Sequence, residues 1–288
     1  MIIDCHYHLQ EKAIALEDLI QRMNASNVDR LCLMGCQIDV FAEPPVYAIN
    51  LLQYFLHRRM LRKFVKPFIA GFTEKGIKLL DGEHEICRDP DNAAVFQAVE
   101  NYPDRLLGWV FVNPKGKKDP VKEFEKYKDH PGFIGVKAHP FWNHHTPLDL
   151  LPVAEKLVKT GKPLIIHLGY DKEGDVMALS GKVPGLKIIL CHAGFPYYAD
   201  TWKEIKDKKN IFVDLSQTSY VGDKVTKDVV KFLGKERCVF GTDGPYGFYG
   251  KDNTFDYGFI KRRIERLFPD IEIQKRLLGE NFMDIACI

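Results

Sequence analysis

Two histidines separated by one residue stand in the apolar segment at the start of the chain, which reads Asp4-Cys5-His6-Tyr7-His8. Because side chains alternate along a β-strand, His6 and His8 project to the same side. Neighbouring imidazoles in an apolar strand need partners, and neutral imidazole is a common ligand of zinc and other divalent metals. The pair alone indicates either a metal site or two hydrogen-bonded histidines of the core.

Three later apolar runs each end in a side chain that can bind a metal or move a proton. His167 follows residues 163–166, His192 follows 188–191 and Asp243 follows 239–242, with a glycine one or two positions further on. A (β/α)8 barrel places its catalytic groups at the C-terminal ends of its strands. Each of these residues alone could be structural, but together with the first pair they favour a metal-dependent catalytic site.

The elements that would position these residues alternate between short apolar runs and amphipathic segments. The apolar runs show little polar alternation, which is typical of strands buried on both faces. The predicted strands are residues 2–8, 30–35, 106–112, 134–138, 164–168, 188–192, 211–215 and 238–242. The helices predicted to follow strands one, four, six and seven are residues 16–24, 148–160, 202–208 and 224–233. This order predicts an α/β fold, a parallel eight-stranded (β/α)8 TIM barrel. An open doubly wound sheet is disfavoured, because no glycine-rich turn opens the first helix.

One domain is expected over residues 1–288, with a long excursion between the second and third strands. The excursion contains a predicted helix at 46–64, a polar stretch at 73–91 and a second helix at 92–101. Long excursions on this side of a barrel build a lid or substrate wall, or are surface elaborations. Residues 36–88 are therefore expected to form a helical insertion, with both roles open.

Charge and composition limit the class of partner. With 41 Lys and Arg against 39 Asp and Glu, the net charge of +2 is too balanced to indicate nucleic acid or an anionic membrane. The seven cysteines follow no disulfide framework, and no apolar run approaches the length of a membrane span. We expect a cytoplasmic protein with reduced thiols that acts on a small molecule, and leave homo-oligomer formation open.

These positions together resemble the amidohydrolase superfamily. The shared pattern is Asp-x-His-x-His on strand one, His on strands five and six, and Asp on strand eight. The closer resemblance is to the amidohydrolase-related branch, which includes the aminocarboxymuconate semialdehyde decarboxylase-like enzymes, and it extends from Ile3 to about Asn281. Further matching segments are Gly135-Val136-Lys137-Ala138-His139-Pro140, Ile166-His167-Leu168-Gly169, Phe240-Gly241-Thr242-Asp243 and Leu277-Leu278-Gly279-Glu280-Asn281-Phe282.

The resemblance implies a role for each residue of the pattern. His6, His8 and His167 would be metal ligands, and Asp243 would bind the metal and also accept a proton from the attacking water. His192 would act as a general acid/base or polarise the reacting group. One zinc ion is favoured because the set is nitrogen-rich with one carboxylate, while manganese and iron remain open. Such a metal lowers the pKa of bound water from about 15.7 towards 7.

Lys137 leaves the number of metal ions open. It lies on the fourth strand, where a binuclear branch of the superfamily carries a carboxylated lysine that bridges two metals. In that case His167 and His192 would both bind the second ion. Otherwise Lys137 contacts an anionic substrate or forms a structural ion pair. Lys137 is therefore also a candidate substrate contact.

Other residues are expected around the metal ligands. His139 lies two residues after Lys137 on the same strand face, and Asn113 ends the third strand. Asp214 and Ser216 share a face of the seventh strand. We treat His139, Asn113 and Ser216 as candidate substrate contacts, and Asp4, one layer deeper than His6, as a supporting or structural residue.

The leading functional hypothesis is hydrolysis of a C–O or C–N bond, in a lactone, ester or amide of a small molecule that can carry carboxylate groups. The alternative within the same branch is non-oxidative decarboxylation, which uses similar ligands. A TatD-type deoxyribonuclease also opens with Asp-x-His-x-His, but the third strand lacks the carboxylate that such an enzyme requires, and the chain lacks a basic footprint. A non-catalytic barrel would predict a broken ligand set, and the set here is intact.

Overall fold

Eight parallel strands form the central sheet of the protein. The computed structural model describes residues 1–39, 46–56, 58, 60–61, 71–72, 76–79, 82–247 and 255–288. The sheet runs in chain order, so that each strand pairs with the one before it and the one after it. Labelled β1 to β8, its strands are Ile3–Leu9, Arg30–Gly35, Leu106–Phe111, Phe133–Ala138, Leu164–Ile166, Ile188–Leu190, Ile211–Asp214 and Cys238–Val239.

The sheet closes on itself through contacts between β1 and the chain that follows β8. The backbone N–H of Asp243 donates to the His6 carbonyl over 2.7 Å, and the N–H of His8 donates to the Gly244 carbonyl over 2.6 Å. Tyr7 and Gly244 form a parallel bridge at the same place. These contacts join the two ends of the sheet, in agreement with the predicted α/β barrel architecture.

Helices surround the strands. Labelled α1 to α12, the helices of the described residues are Leu16–Ala25, Val46–Leu56, Asn92–Asn101, Pro120–Tyr127, Pro140–Asn143, Leu151–Leu157, Val176–Lys182, Ala199–Ile205, Asp223–Leu233, Phe259–Leu267, Ile271–Lys275 and Asn281–Ala286. None of them has the length and apolar character needed to cross a bilayer. The helix predicted at 148–160 is instead divided into 3-10, α and 3-10 segments, with α6 in the middle.

The segment between β2 and β3 has both helical and extended structure. Its described residues form helix α2 and a separate three-stranded antiparallel sheet of Gly71–Phe72, Gly76–Leu79 and Gly82–Glu85. Helix α2 ends at Leu56 rather than at 64, and residues 57, 59 and 62–64 of that prediction lie outside the described residues. The polar stretch at 73–91 supplies two of the short strands, so the helical insertion expected for 36–88 is not confirmed.

Apolar side chains pack on both faces of the barrel, which explains the weak alternation in the sequence. One buried cluster joins the strands to the helices, and a second lies inside the barrel. Trp109 spans the interior and donates from Nε1 to the Cys5 carbonyl over 2.9 Å. The residues of the inner cluster are Ile3, Cys5, Cys32, Met34, Leu107, Trp109, Ile134, Ile165, Ile189, Cys191, Val239, Phe282, Ile285 and Ala286. They form a packed floor beneath the polar residues at the C-terminal ends of the strands.

Candidate metal centre

Buried polar side chains collect at the C-terminal ends of the barrel strands. His167, His192 and Asp243 lie just past β5, β6 and β8, because those strands end earlier than predicted. His192 and Asp243 adopt positive φ angles of 55° and 62°, a left-handed conformation that strand pairing cannot continue. The buried polar residues gathered here are His6, His8, His139, Lys137, His167, His192, Asp214, Ser216, Gln217 and Asp243.

One oxygen of Asp243 lies between two histidine nitrogens. Asp243 Oδ1 is 3.0 Å from His6 Nε2 and 3.2 Å from His8 Nε2. These three residues bring their possible ligand atoms within 4.8 Å of one another. Two imidazole nitrogens and a carboxylate oxygen at this separation form the core of a zinc-type donor set.

Hydrogen bonds fix which nitrogen of His6 and His8 faces that oxygen. His6 Nδ1 lies 2.8 Å from Asp214 Oδ2, and His8 Nδ1 lies 3.3 Å from the Gly35 carbonyl. Both partners are acceptors, so each Nδ1 donates its proton to them. In the neutral imidazole the lone pair is then on Nε2, which is the nitrogen directed at Asp243. Metal-binding histidines in proteins are oriented in this way.

A chain of hydrogen bonds starting at Asp214 assigns the proton of His167. Ser216 Oγ donates to Asp214 Oδ1 over 2.5 Å and therefore accepts from His192 Nδ1 at 2.8 Å. His192 Nε2 is then the acceptor of a bond from His167 Nδ1 at 3.2 Å. His167 Nε2 consequently carries a lone pair, and it is buried with no hydrogen-bond partner among the residues that the structure describes. An orphaned buried nitrogen is costly unless it binds something, such as a metal.

The pKa values agree with this assignment. Burial lowers the pKa of His8 and of His192, that of His192 to about 4, and it lowers the pKa of His167 well below its usual value. Burial raises the pKa of Asp214, but His6, His192 and Ser216 outweigh this effect and lower it to about 2. His8, His167 and His192 are therefore neutral at pH 7. Neutrality is what metal binding requires of the two proposed ligands among them, His8 and His167.

His6 differs from the other histidines because it lies between two carboxylates. Burial and Lys137 lower its pKa, but Cys191, Asp243 and Asp214 raise it well above the usual value. A proton on His6 Nε2 would balance the negative charge of Asp243. A metal cation at the same place would do the same. The donor set therefore fits a divalent metal for two reasons. The carboxylate of Asp243 needs a positive charge beside it, and His167 Nε2 is a buried lone pair that can bind one.

Lys137 lies below this cluster and is completely buried. Its Nζ is 3.3 Å from His6 Nε2 and 3.2 Å from Cys191 Sγ. Among the described residues no carboxylate lies within 4.0 Å of it, so the predicted structural ion pair is absent there. A second group of possible ligand atoms, from His6, Cys191 and Asp214, also lies within 4.8 Å. The binuclear site that the sequence leaves open remains a prediction.

His139 stacks in a row of rings beside the cluster. Its ring centroid is 4.1 Å from that of His167 and 4.5 Å from that of Trp142. The backbone N–H of Trp142 donates to His139 Nδ1 over 3.2 Å, so the neutral ring carries its proton on Nε2. His139 is therefore a hydrogen-bond donor rather than a base. Burial lowers its pKa well below the usual value.

The other predicted contacts take different positions. Ser216 is part of the hydrogen-bond chain that orients His192. Asn113, just after β3, uses its amide to join two loops: Nδ2 donates to the Arg88 carbonyl before α3 over 2.8 Å, and Oδ1 accepts from the Lys115 N–H over 2.9 Å. The structure therefore brings Ser216 into the cluster and engages Asn113 elsewhere.

Asp4 connects β1 to the chain that follows β8. Its carboxylate accepts from the His6 N–H (3.1 Å), the Thr242 N–H (3.0 Å) and the Thr242 hydroxyl (2.7 Å). Thr242 directly precedes Asp243, so Asp4 fixes the backbone of two predicted ligands at once. Burial raises the pKa of Asp4 to about 6.

Gln217 is the site residue that the sequence reasoning missed. Its Nε2 donates to Asp243 Oδ2 over 3.1 Å. Strand alternation after Asp214 and Ser216 would direct residue 217 away from the barrel interior. The backbone of Gln217 instead has a positive φ of 64°, and its side chain returns to the cluster. No sequence pattern for this turn was available, since left-handed residues are usually glycine.

Comparison with known proteins agrees with the site. A family model described as amidohydrolase matches residues 3–281, whereas no curated protein matches the chain. The chain belongs to the amidohydrolase family. The resemblance stated from its sequence is confirmed, and with it an enzyme of this family that uses a divalent metal. Hydrolysis and decarboxylation both remain open for it.

Solved structures with the same fold include both hydrolases and decarboxylases. A probable 2-pyrone-4,6-dicarboxylic acid hydrolase from Acinetobacter baumannii, with citric acid bound, matches 100% of this chain and 99% of its own at 13% identity, with a TM-score of 0.65. A 5-carboxyvanillate decarboxylase mutant from Novosphingobium aromaticivorans, with bound manganese, matches 94% of this chain and 80% of its own at 16% identity, with a TM-score of 0.59. A 2,6-dihydroxybenzoate decarboxylase from Rhizobium matches 99% of this chain and 98% of its own at 13% identity, with a TM-score of 0.59. At these identities the likeness shows the fold.

Proposed function

We propose that this protein is a zinc-dependent hydrolase that cleaves a C–O or C–N bond of a small, carboxylated molecule, such as a lactone. One observation carries the proposal. The lone pairs of His6 Nε2, His8 Nε2 and His167 Nε2 are each set by a hydrogen bond at Nδ1, and Asp243 Oδ1 lies beside the first two. A ligand set oriented by such outer bonds is the design of a catalytic metal site.

His6, His8, His167 and Asp243 would hold the ion. When bound, it would polarise the substrate carbonyl and activate water near neutral pH. The donors are three nitrogens and one carboxylate oxygen, which favours zinc. The manganese in the similar decarboxylase structure makes that ion the first alternative to test.

Asp243 and His192 are the proposed proton-transfer pair. Asp243 Oδ2 faces away from the ligand nitrogens and is able to accept the proton of the attacking water. His192 Nε2 lies 3.9 Å from Asp243 Oδ2, beyond hydrogen-bond distance. Because His167 Nδ1 occupies the lone pair of His192 Nε2, His192 receives a proton only when that bond lengthens.

Two neighbouring side chains are proposed to contact the substrate. His139 offers an Nε2–H donor, and Lys137 offers a buried ammonium that has no carboxylate partner within 4.0 Å in the described part of the chain. These assignments rest on position at the C-terminal ends of the strands. One domain spanning residues 1–288 is also proposed. Within it, residues 36–88 keep both predicted roles, a lid or substrate wall and a surface insertion, and their residues 40–45, 57, 59, 62–70, 73–75 and 80–81 lie outside the described residues.

Decarboxylation without an oxidant is the second candidate. It is favoured by the activities named for two of the three similar structures, while the hydrolase has the higher TM-score of the three and matches both chains almost completely. The two reactions share a metal and a carboxylated substrate but differ in product. Hydrolysis adds water, whereas decarboxylation releases carbon dioxide.

The test is an assay of the zinc-loaded and manganese-loaded protein with 2-pyrone-4,6-dicarboxylate, other carboxylated lactones, and hydroxylated benzoates. Reactions run in ¹⁸O-labelled water would be analysed by mass spectrometry, and carbon dioxide would be measured in parallel. Label in an acid product that Asp243→Asn fails to form supports the hydrolase. Release of carbon dioxide together with a second product that contains no ¹⁸O would establish the decarboxylase instead, and turnover that persists in Asp243→Asn would overturn the proposed centre.

A further inference from the structure

Gln217 holds the oxygen of Asp243 that does not face the histidines. Its Nε2 lies 3.1 Å from Asp243 Oδ2, and both side chains are buried. The contact joins the turn after β7 to the turn after β8. Each turn contains a residue in the left-handed region, with φ of 64° at Gln217 and 62° at Asp243. Such a conformation is unfavourable for side chains larger than glycine and is retained mainly where neighbouring structure requires it.

The orientation of the Gln217 amide is determined by its second partner. The backbone N–H of Ser219 donates to Gln217 Oε1 over 3.1 Å. Because Ser219 supplies a donor, the atom facing it must be the amide oxygen. The NH₂ group therefore faces Asp243, and the contact is a hydrogen bond from a neutral donor to a carboxylate.

The backbone of Gln217 is anchored on the same two turns. Its N–H donates to the Thr242 carbonyl over 3.3 Å, and its carbonyl accepts from the Val221 N–H over 2.8 Å. Thr242 is the residue before Asp243. The position of the amide relative to the carboxylate is therefore set by backbone contacts as well as by the side chain.

The two oxygens of Asp243 consequently have separate partners. Oδ1 lies near His6 Nε2 and His8 Nε2, at 3.0 and 3.2 Å, and Oδ2 is held by Gln217. A carboxylate without this bond could rotate about its terminal torsion, which has a broad energy minimum. Holding the group in one orientation reduces the entropy that would otherwise be lost when an ion binds.

We propose that Gln217 is a positioning residue that presents Oδ1 of Asp243 to a divalent metal and so raises the affinity of the site. The inference rests on the proposed function, since it assumes that Asp243 is a ligand. Gln217 acts through Asp243 and does not itself contact the ion. Outer hydrogen-bond partners of this kind contribute about 10- to 100-fold to metal affinity in other proteins.

The experiment measures zinc affinity of the metal-free protein by competition with a fluorescent chelator, for the wild type, Gln217→Met and Gln37→Met. Gln37 is a matched control: it is equally buried, and its amide Nε2 donates to the Cys87 carbonyl and to Asn143 Oδ1. Both changes keep the length of the side chain and remove its amide. Gln217→Met is expected to weaken zinc binding by about 10- to 100-fold. Gln37→Met should stay within about twofold of the wild type, as expected for a group outside the proposed ligand shell.

Thermal unfolding of the metal-free proteins is measured in parallel. Weaker binding by Gln217→Met at a melting temperature similar to that of Gln37→Met supports the positioning role. Equal affinity of Gln217→Met and wild type, or an equal loss in both variants, would overturn it while leaving the proposed function in place. A wild-type protein that binds no zinc or manganese would remove the proposed function, and the role of Gln217 with it.

Discussion

His167 donates from Nδ1 to His192 Nε2 over 3.2 Å, and this bond leaves His167 Nε2 as a buried lone pair without a partner in the described part of the chain. The direction of the bond follows from two others. Ser216 Oγ donates its proton to Asp214 and therefore accepts from His192 Nδ1, which leaves His192 Nε2 as an acceptor. His192 is thus the support of a proposed ligand as well as the proposed proton carrier. The two roles have different consequences for metal binding.

Replacing His192 separates these roles. His192→Phe removes the acceptor for His167 Nδ1, so zinc affinity of the metal-free protein should fall by about 10- to 100-fold. His192→Gln keeps an oxygen near the Nε2 position and should lose less affinity while still losing turnover. Competition titration with a zinc chelator measures the zinc affinity of both variants. Unchanged affinity in His192→Phe would mean that His192 supports no ligand.

Asp4 should stabilise the closure of the barrel. Thr242→Val removes the 2.7 Å bond from the Thr242 hydroxyl to Asp4 and the 3.1 Å bond from the Gly244 N–H to that hydroxyl, and is expected to cost about 1 to 2 kcal/mol. Asp4→Ala leaves three buried donors, on His6 and Thr242, without their acceptor, and is expected to cost more, about 3 kcal/mol. Urea denaturation of the metal-free variants measures both free energies of unfolding. Equal costs for the two changes would contradict this account of Asp4.

Lys137→Met tests the number of metal ions. A carboxylated lysine bridging two ions would be lost in this variant, whereas a single-ion site would keep about one equivalent of metal. The proposed single-ion site therefore predicts unchanged metal content. The free energy of unfolding should not decrease either, because the change removes a fully buried ammonium that has no carboxylate partner within 4.0 Å in the residues that the structure describes. Elemental analysis beside Lys187→Met, a lysine outside the site, checks this, and a fall from two equivalents to one or none would establish the binuclear centre.

Metal binding should also stabilise the fold. A ligand that binds only the folded state at 100 times its dissociation constant adds about 2.7 kcal/mol to the free energy of unfolding. We therefore expect the melting temperature to fall on treatment with a chelator and to recover with added zinc. Asp243→Asn should show a much smaller shift. A melting temperature that is independent of chelator and zinc in the wild type would contradict a bound structural or catalytic ion.

The strands and their C-terminal polar residues were predictable because buried apolar runs are local signals. β2 begins and ends as predicted, and the predicted helix at 92–101 is found as Asn92–Asn101, with Asp91 Oδ1 accepting from the N–H groups of Ala93 and Ala94. The later strands are shorter than predicted, ending at Ile166, Leu190, Asp214 and Val239, and left-handed residues follow at His192 after β6 and at Asp243 after β8. Apolar composition alone does not record where a backbone turns.

The hydrogen-bond chain behind the ligands was not predictable in the same way. Asp214 and Ser216 were recognisable as residues on one strand face, but their bonds to His6 and His192 join residues 208 and 24 positions apart. Gln217 gave no signal, because its left-handed backbone reverses the alternation on which the prediction depends. Such contacts depend on how turns from different strands meet, and a single sequence contains no direct record of that.

The most direct test is the metal content of protein purified without a metal-binding tag, measured by elemental analysis for the wild type, His167→Ala and Asp243→Asn after reconstitution with zinc. The account predicts about one equivalent in the wild type, as for a single mononuclear site. It predicts a sharp reduction in both variants at unchanged far-ultraviolet circular dichroism. Full occupancy in His167→Ala would contradict the proposed ligand set. A wild type that retains neither zinc nor manganese would contradict the metal centre itself.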